Sequence, residues 1–358
     1  MWQLDNRTPF AAERGWVRDR DGTEIWLVAV KASFTLQADG AARVAESQPE
    51  VLRGPLHRGD AGATSLAADA DLIRTKVATD VLLDGHAHAP GGEPVTELDV
   101  GLAVAGRAKA LKVFGDRAWQ GRSIGRPAPF TAMPLVWERA FGGADPKAEP
   151  AAWDERNPVG QGYATQAEHV DGRPLPNIEH PDHLIRGWKD RPEPAGFGPL
   201  CSHWTERRRF AGTYDDRWQR ERLPLLPEDF DDRHYQCAPA DQQHPGFLRG
   251  GEAVTLLNLT PGGGTWRFAL PRVFLGLETV FGDGHRETHA PPRLHTVLLA
   301  PDERRVSLVW HSALPCHPRV LKLERTRLWL KQDLRDGLLG AAHAEPDEDA
   351  PASRAEAA

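Results

Sequence analysis

Cysteine and methionine are scarce in this sequence. Its 358 residues include three cysteines and two methionines. The cysteines, Cys201, Cys237 and Cys316, are odd in number and far apart along the chain. Disulfide frameworks use cysteines in even numbers at short spacings, whereas cytosolic proteins keep their thiols reduced. The pattern therefore predicts reduced thiols and a cytoplasmic protein.

Long apolar runs and basic stretches are also lacking. No stretch reaches the roughly 18 consecutive apolar residues of a membrane helix. The N-terminal sequence MWQLDNRTPF has neither the basic region nor the apolar region of a signal peptide. We therefore expect no membrane association and no secretory leader. The formal net charge is −7, and lysine and arginine form no dense stripe, which argues against nucleic acid as a partner.

Glycine, proline and tryptophan are abundant instead. The chain has 34 glycines and 30 prolines, spread along its whole length, and 12 tryptophans. Such frequent helix breakers exclude a helical bundle and favour short strands joined by many turns. We predict a mainly β fold with antiparallel, β-sandwich-like sheets, long Pro/Gly/Trp-rich loops and few short helices.

Strand patterns are concentrated near the two ends of the chain. In residues 25–36 (IWLVAVKASFTL), apolar and aromatic side chains recur with a period of two, which predicts a strand with one fully buried face. Short alternating runs between 254 and 330 have the spacing of antiparallel sandwiches. The predicted organisation is a single intertwined β-rich domain over 1–343, made of β-rich 6–115, loop-rich 116–250 and β-rich 251–330.

The last residues, 344–358, differ from the rest in composition. They contain five acidic residues and one arginine, a net charge of −4, with few apolar side chains. A segment that cannot bury apolar surface does not recover the entropy lost on folding. We predict a disordered acidic tail.

The loop-rich part is the tryptophan-rich part. Tryptophan is enriched in binding hot spots, but it also anchors irregular loops on a core. Both interpretations stay open at this point. The residues DDRWQRERL (215–223) predict one short helix. The candidate partner-binding residues are Trp137, Trp153, Trp188, Trp204 and Trp218.

The segment 228–241 carries the densest set of chemically active side chains. Acidic residues beside a histidine and a cysteine could hold a divalent ion or activate water. No HExxH, GxSxG or EF-hand spacing is present. Aspartates beside prolines also form turns and helix caps, so we favour a structural loop. The candidates of the alternative, catalytic interpretation are Asp231, His234, Cys237 and Asp241.

Two further histidine patterns raise the question of a metal. His86 and His88 share one side of an extended segment, but no acidic residue or third histidine lies near them in the sequence. His311, Cys316 and His317 are close together at a proline-flanked turn. A structural zinc site needs four ligands, and the CxxC pair typical of such sites is absent. We predict no metal and no cofactor.

Several long blocks of the sequence are recognisable together. They include NRTPFAAERGWVRDRDGTEIWLVAVKASF (6–34), GHAHAPGG (85–92), KVFGDRAW (112–119), MPLVWERAFGG (133–143), AGTYDDRWQRERLPLLPEDFDDRHYQCAPADQQ (211–243), LRGGEAVTLLNLTP (248–261) and HTVLLAPDERRVSLVWHSALPCHP (295–318). From about Asn6 to Leu328, the chain resembles a bacterial family catalogued as a domain of unknown function and associated with type VI secretion.

The resemblance implies a function without catalysis. Members of the family act as adaptors or chaperones that load toxic effectors onto the VgrG-type spike. The implied partners are a secreted effector and the spike protein, with no catalytic residue and no cofactor. Some members carry or accompany pentapeptide repeats, which this chain lacks. The alternatives are a metal-dependent hydrolase that uses 228–241 and an effector or immunity-type accessory protein.

Overall fold

The computed structural model describes residues 2–316 and 318–331. These residues form mainly β-strands in several antiparallel sheets, with two short α-helices and a few 3-10 segments. The predicted mainly β fold with few short helices is confirmed. The predicted acidic tail, 344–358, and His317 lie outside the described residues. The single domain proposed over 1–343 stays a prediction.

The strands are numbered in chain order. They are β1 (Gln3–Asn6), β2 (Ala11–Arg18), β3 (Glu24–Leu36), β4 (Ala42–Val44), β5 (Leu56–His57), β6 (Leu66–Ala68), β7 (Ala78–Leu83), β8 (His86–His88), β9 (Glu97–Val104), β10 (Arg107–Phe114), β11 (Trp119–Gln120), β12 (Ser123–Ile124), β13 (Ala132–Pro134), β14 (Phe141–Gly142), β15 (Ala144–Asp145), β16 (Ala152–Trp153), β17 (Gln161–Gly162), β18 (Ile178–Glu179), β19 (Gln243–Pro245), β20 (Ala253–Leu257), β21 (Thr265–Ala269), β22 (Leu275–Phe281), β23 (Arg286–Thr288), β24 (Arg293–Ala300), β25 (Arg305–Pro315) and β26 (Leu323–Leu330).

The helical segments are short. The two α-helices are α1 (Thr205–Arg208) and α2 (Asp216–Glu221). Helix α2 forms where the sequence predicts it, and the Asp215 carboxylate caps it by accepting a hydrogen bond from Trp218 N. The 3-10 segments are Pro90–Gly92, Trp137–Arg139, Ala167–His169, Asp232–Tyr235, Ala240–Gln242, Pro301–Glu303 and Arg319–Lys322. Every helix in the described part is too short or too polar to cross a membrane.

The largest sheet has seven strands and contains strands from both ends of the chain. Its order is β19-β7-β24-β25-β3-β2, and β4 also pairs with β3. All its pairs are antiparallel except β7–β24. Strand β3 is buried on both faces over most of its length and lies between β2 and β25, so Val30 stands opposite Ala12 on one side and Trp310 on the other.

Two smaller sheets complete the framework. The five-stranded sheet has the order β18-β10-β9-β20-β21 and is antiparallel throughout. The four-stranded sheet has the order β1-β26-β22-β23. In it, the N-terminal β1 pairs in parallel with β26, which places Leu4 opposite Thr326.

The three sheets share one hydrophobic core. Alternate side chains of each strand point inward, because successive residues of a strand face opposite sides of its sheet. Val30 of β3, Val100 of β9 and Leu277 of β22 are almost completely buried in the same cluster. Burial of each such side chain stabilises the fold by roughly 1.5–3 kcal/mol. The sheets therefore pack in the sandwich-like manner that the alternation predicts.

A buried polar network crosses this core. Trp26 Nε1 donates to Thr326 Oγ1 at 2.9 Å, and the Thr326 and Thr279 hydroxyls are 2.7 Å apart. The His289 imidazole lies between Thr279 Oγ1 and Ser312 Oγ, at 2.7 Å from each. The network joins the seven-stranded sheet to the four-stranded sheet with every ring nitrogen of His289 bonded, as a buried polar group requires.

Candidate functional site

The four residues of the catalytic interpretation do not form one site. Asp231 accepts hydrogen bonds from Arg233 N and Nη2 at 2.8 and 2.6 Å, and His234 Nδ1 lies 3.1 Å from the Arg207 carbonyl. Asp241 is exposed and accepts from Lys109 Nζ at 3.0 Å. Each side chain is thus tied to a different partner.

Cys237, the fourth of these residues, is buried beside an ion pair. Lys76 Nζ lies 2.6 Å from Asp80 Oδ2, 3.0 Å from Thr296 Oγ1 and 3.6 Å from Cys237 Sγ. Burial raises the pKa of the Cys237 thiol, and it lowers the pKa of His234. A buried thiol whose pKa is raised is a poor nucleophile at neutral pH. The arrangement serves the core and offers no activated nucleophile.

The structure places an acidic residue beside His86 and His88. The sequence shows no acidic residue near this pair, yet Asp302 lies between the two imidazoles. Asp302 Oδ2 is 2.7 Å from His86 Nδ1, and Oδ1 is 2.6 Å from His88 Nε2. Because the histidines bond to different oxygens, the three groups do not converge on a single point.

His311 and Cys316, the described residues of the other histidine pattern, also have different partners. His311 is buried and stacks on His295, with ring centroids 4.8 Å apart, while the Cys316 thiol lies 3.7 Å from the Glu24 carbonyl oxygen. Burial lowers the pKa of His311 to about 3. Within residues 2–316 and 318–331, no three His, Cys, Asp or Glu side chains are placed to hold a metal ion.

The tryptophans of the loop-rich part divide into buried and accessible ones. Trp137 and Trp204 are buried and meet edge to face at 5.8 Å, so neither is available to a partner. Trp188 and Trp218 are half-buried against neighbouring loops, and Trp153 is 50% exposed. The structure therefore supports the anchoring interpretation for the first pair and leaves Trp153 as the most accessible of the five.

The described surface has a cleft where the seven-stranded sheet meets the four-stranded sheet. Its volume is about 550 Å³, within the ordinary range of ligand pockets. Its walls come from the ends of several strands, from the segments just before β22 and β24, from the residues after β19 and β26, and from the middle of β25. The lining residues are Gly246, Phe247, Leu248, Arg249, Val273, Phe274, Leu275, Pro291, Pro292, Arg293, Leu294, Trp310 and Lys331.

Backbone and side-chain hydrogen bonds fix the walls of this cleft. Thr79 Oγ1 donates to the Leu294 carbonyl at 2.6 Å and accepts from Leu248 N at 2.9 Å. On the other side, Lys331 N donates to the Phe274 carbonyl at 2.8 Å. Since Leu248, Leu294 and their neighbours belong to the hydrophobic core, the floor of the cleft is continuous with the core.

The rim of the cleft is cationic. Arg249, Arg293 and Lys331 are exposed, and none of the lining residues in the described part of the chain is acidic. Glu252 contacts Arg249 through the backbone: its carboxylate accepts from the Arg249 N–H at 2.7 Å. The cleft thus combines an apolar floor with a positive rim.

A stack of side chains leads from the rim to the core. The Arg293 guanidinium lies 5.2 Å from the Phe247 ring centroid, Phe247 stacks on His295 at 5.8 Å, and His295 stacks on His311. Burial, followed by the charge of His311, holds the pKa of His295 well below its ordinary value. Phe247 has a left-handed backbone, with a φ of 61°, a conformation that is uncommon and strained for a bulky residue.

No motif in the sequence indicates this cleft. Its residues come from separate segments between 246 and 331, and none of these segments has a motif. The available signal was weak: Pro292-Arg293 places an arginine directly after a proline at the start of β24. Proline before a strand keeps the chain extended and leaves the next side chain at the strand end.

Comparison with curated proteins and with solved structures finds no match. Comparison with family models finds one that is described as "Uncharacterized protein conserved in bacteria (DUF2169)", which matches residues 21–311. That description mentions neither a secretion system nor an adaptor role. The matched residues include β3, the five-stranded sheet and most of the cleft, and they cover well over half of the chain. The chain therefore belongs to DUF2169, a family of uncharacterised proteins conserved in bacteria.

Proposed function

We propose that this chain is a non-enzymatic adaptor or chaperone that binds a type VI secretion effector in the bacterial cytoplasm and loads it onto the VgrG-type spike. The proposal starts from the sequence resemblance between Asn6 and Leu328. The observation that supports it most directly is the cleft with an apolar floor and a cationic rim, since such a surface suits the capture of a protein segment.

The contacts made by residues 228–241 favour a function in which this segment is not a catalytic site. Asp231, His234 and Asp241 each bond to a separate partner, and Cys237 is buried. General acid–base or nucleophilic chemistry needs its groups within hydrogen-bond reach of one another or of one substrate atom. No contact among them favours the hydrolase alternative.

The proposal is tested by co-expression and by an export assay. The full-length chain, tagged, is co-expressed with candidate type VI effectors and the VgrG-type proteins of the same bacterium, and one effector and one spike protein are expected to co-purify. In the native bacterium, deletion of the gene should abolish effector export and leave assembly of the secretion machine intact. Retention of neither partner, together with unchanged export, would contradict the proposal.

Two further experiments test the alternative functions, a hydrolase and an effector or immunity protein. Complementation with the Asp231→Ala/His234→Ala variant should restore export to the wild-type level, whereas a hydrolase that uses these residues would lose its function. Expression of the chain alone should be harmless. Toxicity would indicate an effector, and rescue from a co-expressed toxic effector without any effect on its export would indicate an immunity protein.

A further inference from the structure

We infer that the cationic cleft binds an extended acidic segment of the effector and takes one of that segment's bulky apolar side chains into its floor. The inference deepens the proposed function and rests on it. The cleft is the surface of this chain that binds the effector. The part of the effector that it recognises is acidic and carries an apolar side chain.

The floor of the cleft fits an apolar anchor. Leu248, Leu294 and Trp310 form its base and belong to the hydrophobic core, and the Phe274 ring at its edge is 44% exposed. Aromatic side chains that enter well-packed pockets, tryptophan above all, often supply much of the binding free energy at protein interfaces. The volume of about 550 Å³ accommodates a few side chains of a peptide.

The rim fits negative charge. Arg249, Arg293 and Lys331 come from three different segments and form no ion pair with another described residue. Many other cations of this chain are paired, for example Arg156 with Asp154 at 2.6 Å and Arg207 with Asp69 at 2.7 Å. The local positive charge also contrasts with the net charge of −7 of the whole chain. Charge complementarity of this kind steers a partner and sets its register.

The cleft is preorganised. Phe247 is held in a left-handed conformation between Arg293 and His295, and Thr79 bonds to both the Leu248 and the Leu294 backbone. A residue keeps such a conformation only where its surroundings determine it. A rigid site loses little entropy when a flexible segment binds, so an extended peptide can bind with useful affinity.

A long polyanion is a poorer occupant than a short acidic segment. Nucleic acid needs a continuous basic surface, whereas this chain has an excess of acidic residues outside the cleft. The chain's own residues 332–358 are a second possible occupant, because they follow Lys331 and carry seven acidic residues and two arginines, a net charge of −5. Both occupants are outcomes of the test.

The test uses a charge-reversal variant of the full chain and a matched control. The test variant is Arg249→Glu/Arg293→Glu/Lys331→Glu. The control variant reverses three exposed cations outside the cleft and is Arg122→Glu/Lys147→Glu/Arg220→Glu. Both change the net charge by the same amount. Circular dichroism and thermal unfolding confirm that each variant is folded.

The probe is a fluorescein-labelled ten-residue peptide with one tryptophan among glutamates, compared with the same peptide with glutamines. We expect the acidic peptide to bind the wild-type chain and the control variant equally, and the cleft variant at least about tenfold more weakly. The neutral peptide should bind weakly to all three. Effector co-purification should follow the same order, with binding of the spike protein unchanged.

Several results would overturn the inference. One is equal binding of the acidic peptide and the effector by the cleft variant and the wild type. Another is effective competition by single-stranded DNA of equal charge. A third is peptide binding that appears only when the acidic residues of 332–358 are replaced by amides in the full chain, since that segment would then be the occupant.

Failure of the inference and failure of the proposed function give different results. If the wild-type chain retains the effector and the cleft variant retains it equally, the inference fails and the adaptor function stands. If the wild-type chain retains neither effector nor spike, the adaptor function fails whatever the peptide does.

Discussion

At the residue scale, the buried charged side chains among residues 2–316 and 318–331 are paired, and Lys76 with Asp80 is the clearest case. Lys76 and Asp80 are almost completely buried, and the carboxylate also accepts hydrogen bonds from Gln236 Nε2 and Cys237 N at 2.7 and 2.8 Å. Burial alone would lower the pKa of Lys76, but the Asp80 carboxylate reverses this and the pKa is raised. The ammonium group therefore stays charged at neutral pH.

The first prediction concerns this ion pair. In Asp80→Ala, Lys76 is left as an unpaired buried charge, and we expect the free energy of unfolding to fall by about 3–5 kcal/mol. Since the pKa of Lys76 is raised in the fold, its contribution is complete below its unfolded value and is lost only at strongly alkaline pH. Urea unfolding at pH 7 therefore measures the full effect.

The matched control for this prediction is an exposed pair. Glu221 accepts from Arg217 Nε at 3.0 Å on the surface of α2. Glu221→Ala should change the free energy of unfolding by less than about 0.5 kcal/mol, because exposed ion pairs contribute little. Similar losses for Asp80→Ala and Glu221→Ala would show that the buried pair has no special role.

The second prediction concerns His289 and acid. Burial lowers the pKa of His289 to about 4, whereas the ordinary pKa of histidine, about 6.5, applies in the unfolded chain. Between these values the unfolded chain binds one more proton than the folded chain. Stability therefore falls as the pH falls from 6.5 to 4, by about 1.4 kcal/mol per pH unit for this group.

The comparison variant is His289→Gln, whose amide does not titrate. Its free energy of unfolding is lower than that of the wild type at pH 7, but it falls less steeply with acid because one histidine no longer contributes. The measurement is a series of urea unfolding curves between pH 4 and 7 for both proteins. Equal slopes in the two series would refute the assignment of this pKa to His289.

At the element scale, tryptophans stabilise the loop-rich part where regular strands are short. Trp204 is completely buried against Trp137, and Trp137 Nε1 donates to the Gly198 carbonyl at 3.2 Å. Leu66, Leu200 and Cys201 pack around them. This cluster replaces, for the loops, the alternating inner faces that stabilise the sheets.

The third prediction compares a buried and an exposed tryptophan of these loops. Trp204→Ala removes the centre of the cluster and should lower the free energy of unfolding by about 3–5 kcal/mol. Trp153→Ala, at a half-exposed position of β16, should change it by about 0.5 kcal/mol or less. Thermal and urea unfolding of both variants decide the point. A large loss for Trp153→Ala would assign that residue an anchoring role as well.

The sheets could be predicted from sequence and the cleft could not, for one physical reason. Residues 25–36 have an apolar side chain at every second position, and this local pattern predicts that one face of β3 is buried. The cleft and the contact between His86 and Asp302 depend on segments that meet only in the folded chain. Those two residues are 216 positions apart. No local pattern reports such a distance.

At the scale of the whole molecule, the first and last strands share sheets. β3 pairs with β25, and β1 pairs with β26. Core side chains of the seven-, five- and four-stranded sheets lie in one cluster. The loop-rich part between them supplies β18 to the five-stranded sheet and β19 to the seven-stranded sheet. Removal of either end would expose the inner face of the other.

The fourth prediction is that residues of all three sheets unfold together. Far-UV circular dichroism and tryptophan fluorescence should give coincident urea transitions, because one continuous core leaves no part that is stable alone. Leu102→Ala in β9 and Leu277→Ala in β22 each remove a buried side chain and should cost about 2–5 kcal/mol. If the core is one unit, each variant moves both probes by the same amount. If the five-stranded sheet were a separate domain, Leu102→Ala would shift one transition and leave a second one at its wild-type midpoint.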